Sequence, residues 1–170
     1  QTQGLQAYQG IFAEASVTAS ENAIMLAVAS PGKSILRNLA CEPHVADLCN
    51  FLVQCGADIK GIGTQTLTIE GGKPLQAPST PYRVCGDYLQ AGTYILMGAI
   101  TNSPVEVTGI NPIDLDLFCH LLQKQTALYF YYHKHLFYII SLGLHHEHHH
   151  KYILHLLCRL LFRFSFIYNI

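Results

Sequence analysis

The sequence predicts an α/β protein built from a repeated unit of helix, strand, helix, strand and strand. Three observations lead to this fold class. Apolar residues recur at helical spacing in two stretches of residues 14–72, short stretches with strand character lie between and after them, and the same order begins again near residue 89. A duplicated unit of this kind buries its apolar face partly against neighbouring units.

The first unit begins with a predicted helix over residues 19–30. Thr18 and Glu21 have the spacing of a capping box, in which the hydroxyl accepts a hydrogen bond from a first-turn amide and the carboxylate reaches back to the cap. The apolar positions that repeat at helical spacing are Ala23, Ile24, Ala27 and Val28. Pro31 cannot continue the helix, so we expect the helix to end just before it.

A strand, a second helix and two more strands complete the predicted first unit. The strand covers residues 34–39, and Pro43 opens the helix because proline at the first helical position loses no backbone hydrogen bond. The apolar stripe of this helix consists of Val45, Leu48, Phe51 and Leu52. Gly56 is the expected stop, and strands are expected at residues 58–62 and 65–70.

The same order begins again after a proline-rich linker. We expect a small-residue helix at residues 89–100, a strand at 105–109 and another proline-opened helix that starts at Pro112 with Asn111 as its N-cap. Pro43 and Pro112 hold the same place in the two copies. The sequence therefore predicts a duplicated α/β unit.

Four stretches of the chain resemble the enolpyruvyl transferase family. They read SVTASEN, CEPHVADLCNFL, GIGTQTLTIEG and YRVCGDYLQAGT, and they begin at Ser16, Cys41, Gly61 and Tyr82. The resemblance extends over about residues 5–123. It implies that residues 1–125 form a partial domain of an inside-out α/β barrel, with one full repeat unit at residues 14–72 and part of a second at residues 82–123.

The resemblance also implies a function. The branch of the family that this chain resembles transfers the enolpyruvyl group of phosphoenolpyruvate to UDP-N-acetylglucosamine in the cytoplasm, during peptidoglycan (cell wall) synthesis, and no cofactor is expected. The cationic groups, the cysteine-bearing loop and the aspartate motif on which that chemistry depends are not found in this sequence, so we assign no catalytic residue and expect an incomplete, inactive piece of the enzyme. Two alternatives stay open: a nucleotide-sugar binding module without catalysis, and a membrane-surface protein that acts through its tail.

Five residues are candidates for substrate contact by this resemblance. Ser16, Val17 and Thr18 match a run that contacts the uridine end of the nucleotide sugar, and the free amides of a helix N-terminus suit such a ligand. Glu42 and Asp87 match positions at the substrate cleft. Each also has a structural interpretation, because Glu42 stands at the start of a helix and Asp87 is a suitable N-cap. No metal ligand is assigned.

Composition restricts the partners. The net charge of −1 argues against a nucleic-acid binder. Six cysteines without a recognisable secretory signal are expected to be free thiols in the cytoplasm. A partial domain would leave apolar faces uncovered, so we expect self-association.

The character of the sequence changes at residues 126–170, which are rich in His, Tyr and Phe. We expect this tail to be helical or disordered, and three interpretations of it stay open. The first is an out-of-frame stretch, because amino acids with A/T-rich codons dominate. The second is an amphipathic helix at a membrane surface. The third is a metal-binding tract at residues 145–150, although adjacent histidines of a helix point in different directions.

Overall fold

The computed structural model describes residues 4–101, 103–125, 128–133 and 136–141, and its chain divides into two units. Unit 1 extends to Val84 and unit 2 begins at Cys85. Each unit is an α/β arrangement with its own sheet and its own buried cluster.

Unit 1 contains two helices and one four-stranded sheet. Its elements in chain order are β1 (Gln9–Ile11), α1 (Val17–Ala29), β2 (Gly32–Arg37), α2 (Pro43–Gln54), β3 (Asp58–Lys60) and β4 (Thr66–Gly71). The strand order is β1-β2-β4-β3. β1 is parallel to β2, whereas β4 is antiparallel to both β2 and β3. It follows that β1, β2 and β3 run in one direction and end at the same edge of the sheet, which we call the carboxyl edge.

The core of unit 1 lies on one face of this sheet. Leu36 is paired with Leu67 and Ser34 with Ile69, and all four side chains are buried, so they share a face. The helices contribute Ile24 from α1, along with buried side chains of α2, to the same cluster. The strand residues between the buried ones are less buried, which is the alternation expected of a sheet covered on one side.

The start and end of α2 predicted from Pro43 and Gly56 are confirmed, but the N-cap predicted for α1 is not. α2 has Pro43 in its first turn, and Gly56 follows its end with a φ of +103°. The capping box at Thr18 is wrong. α1 starts two residues earlier than expected, Ser16 is the N-cap, and the Thr18 carbonyl already accepts a hydrogen bond from the side chain of Asn22 at 2.8 Å. A serine two residues upstream therefore provides the cap, because its backbone is the extended one.

Unit 2 repeats the topology of unit 1, except that its described residues include no counterpart of β1. Its elements are α3 (Tyr88–Thr101), β5 (Glu106–Thr108), a 3₁₀ turn (Pro112–Leu115) that continues into α4 (Asp116–Gln125), β6 (Leu128–His133) and β7 (Leu136–Ser141). The sheet order β5-β7-β6 reproduces the order β2-β4-β3. Two buried pairs, Ile24 with Ile95 and Leu39 with Ile110, correspond at one constant offset along the chain.

The expectation of a helical or disordered tail after a partial second unit is corrected for residues 128–133 and 136–141. These residues form an antiparallel pair, and β7 also pairs with β5. Their sequences LYFYYH and LFYIIS are rich in aromatic and β-branched residues, which favour strands. The second copy therefore has its two final strands. Residues 142–170, which include the histidine tract, lie outside the described residues.

Within the described ranges, no helix is long and apolar enough to cross a membrane, and no cluster of three metal-ligating side chains occurs.

Candidate functional site

The N-terminus of α1 follows the loop that leaves β1, at the carboxyl edge of the sheet. Oγ of Ser16 accepts a hydrogen bond from the Ala19 amide at 3.4 Å and so caps the helix. Ser16 and Val17 are half-buried, whereas Thr18 is exposed. Because the first amides of a helix have no intrahelical acceptor, the amides here are donors that a ligand can use. Ser16, Val17 and Thr18 thus form one continuous surface at the start of α1.

The N-terminus of α2 follows the loop that leaves β2, at the same edge. Glu42 occupies the N-cap position, and its side chain makes no capping hydrogen bond. Its Oε2 atom is buried and has no hydrogen-bond partner in the described part of the chain. An unsatisfied buried polar atom costs about 1–3 kcal/mol. This oxygen is therefore available to a donor that a ligand brings.

The two loops are hydrogen-bonded to one another. The Phe12 amide donates to the Arg37 carbonyl at 2.9 Å, and Nδ2 of Asn38 donates to the Phe12 carbonyl at 2.9 Å. Oγ of Ser20 donates to the Ser16 carbonyl at 2.7 Å and accepts from the Ala40 amide at 2.9 Å. We call residues 12–16 the first loop and residues 38–42 the second loop. The side chains of Ser20 and Asn38 thus connect the two loops, and Ser16 and Glu42 lie at the same edge of the sheet.

The first turns of α1 and of its counterpart α3 carry no acidic side chain, whereas the first turn of α2 and that of its counterpart in unit 2 differ. The first turn of α2 carries no acidic side chain. In unit 2, Asp114 lies in the first turn of the 3₁₀ segment and Asp116 in the first turn of α4. An acidic side chain offsets the positive end of a helix dipole. The start of α1 therefore keeps a positive end without a first-turn acid, which suits an anionic ligand, whereas the start of α2 carries the Glu42 carboxylate at its N-cap position.

Asp87 has a structural role in unit 2. Its Oδ1 atom accepts hydrogen bonds from the amides of Leu89 at 2.9 Å and Gln90 at 3.1 Å, at the start of α3. These bonds confirm the N-cap interpretation of Asp87. Its place at a substrate cleft stays a prediction.

Sequence reasoning missed Ser20 and Asn38, the two side chains that link the loops. Ser20 is only 1% exposed, in the middle of an apolar helix face, and Asn38 has a left-handed backbone with φ 59°. A serine among buried apolar positions, and an asparagine directly after a strand, are the signals that point to them. Two cations end strands at the carboxyl edge, Arg37 on β2 and Lys60 on β3, and both are exposed.

Two of the described cysteines, Cys49 and Cys119, are buried and unreactive. Burial raises the pKa of the Cys49 thiol to about 11, and burial together with the Asp116 charge raises that of Cys119 to about 12. Both stay protonated at neutral pH. Cys41, in the second loop, is exposed and free.

A cleft of about 430 Å³ lies between the N-terminal segment, α1 and β2 of unit 1. Its walls are mainly apolar, with polar groups at Gln6, Asn22, Ser30 and Ser34.

Comparison with known proteins gives concordant results. The family model for EPSP synthase (3-phosphoshikimate 1-carboxyvinyltransferase) matches residues 3–127. The chain is similar to the UDP-N-acetylglucosamine 1-carboxyvinyltransferase of Borreliella burgdorferi, with 43% identity over 111 residues, covering 65% of the chain and 26% of the relative. The enzyme of the same name from Sphingopyxis alaskensis is 46% identical over 116 residues, covering 68% of the chain and 27% of the relative. The chain spans about a quarter of the length of these relatives.

Solved structures show the same fold. The enolpyruvyl transferase NikO from Streptomyces tendae aligns with a TM-score of 0.67 at 19% identity, covering 83% of this chain and 36% of that one. EPSP synthase from Acinetobacter baumannii aligns with a TM-score of 0.57 at 19% identity, covering 80% and 32%. At such low identity these structures support the fold alone.

Proposed function

Because the chain belongs to the EPSP synthase (3-phosphoshikimate 1-carboxyvinyltransferase) family, we propose that it provides part of the UDP-N-acetylglucosamine site of an enolpyruvyl transferase of peptidoglycan synthesis. Relatives with 43% and 46% identity that carry the name UDP-N-acetylglucosamine 1-carboxyvinyltransferase support this branch of the family. In the proposed reaction, the 3′-hydroxyl of the sugar acquires the enolpyruvyl group of phosphoenolpyruvate and inorganic phosphate leaves. A closed barrel of repeated units is the architecture that we propose for the complete transferase.

The single observation that carries the proposal is the pairing of two helix N-termini at the carboxyl edge of unit 1. Ligands of open α/β sheets bind beyond the carboxyl ends of the strands, and helix N-termini there suit phosphates. The amides around Ser16, Val17 and Thr18 would bind the uridine end or the diphosphate. The absence of a first-turn acid from α1, whose N-cap is the neutral Ser16, favours such an anionic ligand.

Glu42 would complete the site from the second loop. Its unpaired oxygen is an acceptor, and the sugar part of the ligand brings hydroxyl and amide donors. A hydrogen bond to a charged acceptor contributes about 1.5–3 kcal/mol. We therefore propose that Ser16 to Thr18 bind the nucleotide and Glu42 the sugar.

We assign binding to this chain and no catalytic step. Transfer requires positioned charges at the phosphate and carboxylate of phosphoenolpyruvate. The first and second loops contain two carboxylates, Glu14 and Glu42, and the Cys41 thiol, but no lysine or arginine. We expect no phosphate release above a protein-free blank when both substrates are present, and a release that saturates with substrate would contradict this.

Free thiols support a cytoplasmic location. Cys41, Cys49, Cys55 and Cys119 are free thiols. Reducing compartments keep thiols in this form.

We also propose self-association of the isolated chain. Met25 and Leu26 of α1 are 46% and 55% exposed, and Phe51 and Val53 of α2 are 37% and 41% exposed. Exposed apolar side chains favour association where they adjoin one another. Light scattering at micromolar concentration tests it, and a sharp monomer peak would contradict it.

Isothermal titration of the full chain with UDP-N-acetylglucosamine tests the proposed binding. We expect saturable binding that Ser16→Ala weakens by about three- to tenfold, because the cap orients the free amides. Asn111→Ala is the matched control, since it removes the N-cap of the 3₁₀ turn of unit 2. Titration with shikimate 3-phosphate separates the two branches of the family. Binding of that compound, with none of the nucleotide sugar, would overturn the proposed branch.

A further inference from the structure

The two side chains that link the first and second loops have counterparts in unit 2 that make no such link. Ser20 of α1 corresponds to Ala91 of α3, since both lie four residues after the N-cap and both are buried. Asn38 corresponds to Gly109, since each directly follows its strand and has a positive φ, of 59° and 81°. Unit 2 thus builds the same topology with alanine and glycine at these positions.

The comparison shows that the fold does not require the polar residues. Glycine adopts a left-handed backbone without strain, whereas another residue does so at a cost. A hydroxyl buried at 1% exposure also requires hydrogen-bond partners that alanine does not need. Unit 1 therefore carries two less favourable residues, and both form hydrogen bonds to the loops at the carboxyl edge.

We propose that Ser20 and Asn38 are positioning residues, which hold the first and second loops in the relative arrangement that binds the ligand. The inference rests on the proposed function of the same site. Ser20 fixes the carbonyl of Ser16 against the backbone of Ala40, and Asn38 fixes the carbonyl of Phe12 at the start of the first loop. Neither side chain contacts the ligand. Together they set the distance between the free amides of α1 and the unpaired oxygen of Glu42.

Two substitutions test the inference by installing the residues of unit 2: Ser20→Ala and Asn38→Gly. Ser30→Ala is the matched control, because Ser30, the C-cap of α1, is also a buried serine. Its Oγ donates to the carbonyl four residues earlier, at 2.7 Å, but at the opposite end of the helix. The Ser20→Thr variant keeps the hydroxyl and should restore the properties of the wild type. All variants are made in the full chain.

Amide hydrogen exchange gives a readout that needs no ligand. In Ser20→Ala the Ala40 amide loses its acceptor, so we expect its exchange to accelerate at least about tenfold. In Asn38→Gly the Phe12 carbonyl loses a donor, whereas the Phe12 amide keeps its acceptor, the Arg37 carbonyl; we expect a smaller acceleration at the Phe12 amide, because the first loop is held less firmly. Ser30→Ala should change neither amide. Unchanged exchange at these amides in both variants would overturn the inference, whatever the ligand does.

Titration with UDP-N-acetylglucosamine gives the second readout. A neutral hydrogen bond contributes about 1 kcal/mol, so we expect about fivefold weaker binding in each variant. The urea midpoint of Asn38→Gly should change little, because the relief of the left-handed backbone offsets the lost hydrogen bond. Affinity equal to that of the wild type, despite faster exchange, would also overturn the inference. If the wild type itself does not bind the nucleotide sugar, the proposed function fails, and the exchange experiment still decides whether these residues hold the loops.

Discussion

Replacing Glu42 with alanine gives a prediction in which stability and binding change in opposite directions. The carboxylate is the N-cap of α2 without a capping hydrogen bond, so its removal deletes no native bond of that side chain in the described chain. The substitution removes a buried oxygen that has no partner, and such an oxygen destabilises the folded state by about 1–3 kcal/mol. The favourable interaction with the helix dipole, about 0.3–1 kcal/mol, disappears as well. We expect Glu42→Ala to raise the free energy of unfolding by about 1 kcal/mol.

Asp87→Ala is the matched control, because Asp87 is also a carboxylate at a helix start. Its Oδ1 atom accepts two amide hydrogen bonds, so alanine there should lower the free energy of unfolding by about 1 kcal/mol. Urea titrations of both variants and the wild type, followed by circular dichroism at pH 7, measure the two changes. The expected result is opposite signs.

The second part of the prediction concerns the affinity of Glu42→Ala for the nucleotide sugar. If the unpaired oxygen accepts a donor of the sugar, Glu42→Ala should bind UDP-N-acetylglucosamine at least about tenfold more weakly, a loss of about 1.4 kcal/mol. A variant that is less stable than the wild type by more than about 0.5 kcal/mol would refute the reasoning, because the carboxylate would then have a native partner. Unchanged affinity would refute its assignment to the sugar.

Three further predictions concern the backbone and the thiols. Gly71→Ala should lower the free energy of unfolding by about 3 kcal/mol, since a methyl group there collides with carbonyl oxygens at the end of α1. A methyl group at Gly109 meets open space, so Gly109→Ala should cost only the strain of its positive φ, about 1–2 kcal/mol. Equal costs of the two substitutions in urea titrations would contradict this prediction. Iodoacetamide at pH 8 should label Cys41 rapidly and Cys49 and Cys119 only after unfolding, as peptide mass spectrometry would show. The free energy of unfolding should fall between pH 9 and about 11. The pKa values of the Cys49 and Cys119 thiols are raised in the folded state, so the unfolded chain releases these protons first. A urea midpoint that does not change over that range would contradict this prediction.

Much of the fold could be predicted from local signals that act through sterics. Pro43 and Gly56 delimit α2 as expected because few other backbone conformations are open to them. The first cap was missed because Ser16 and Thr18 are equally suitable by residue type. The backbone conformation of the preceding loop, which tertiary contacts determine, decides between them. The strands β6 and β7 were missed because their pairing with β5 is a long-range contact that composition does not reveal.

Part of the candidate site could likewise be predicted from local signals, and part depends on long-range contacts. A helix N-terminus can be inferred from a capping residue and the apolar period that follows it, so the surface at Ser16 to Thr18 was accessible to prediction. The unpaired oxygen of Glu42 depends on what surrounds it, and the links through Ser20 and Asn38 join residues far apart in the chain. Such contacts exist only once the sheet brings the two loops together.

The lengths of the outer strands indicate where copies of this chain would join. The sheet of unit 1 is bounded by β1 and β3, each of three residues, so it offers few unpaired backbone groups to a neighbouring molecule. The sheet of unit 2, as far as the chain is described, is bounded on one side by β6, a strand of six residues with the sequence LYFYYH. Long edges rich in aromatic residues are templates for adding another strand. A charged residue or a proline placed in β6 is therefore the substitution most suited to keeping this chain dispersed at high concentration.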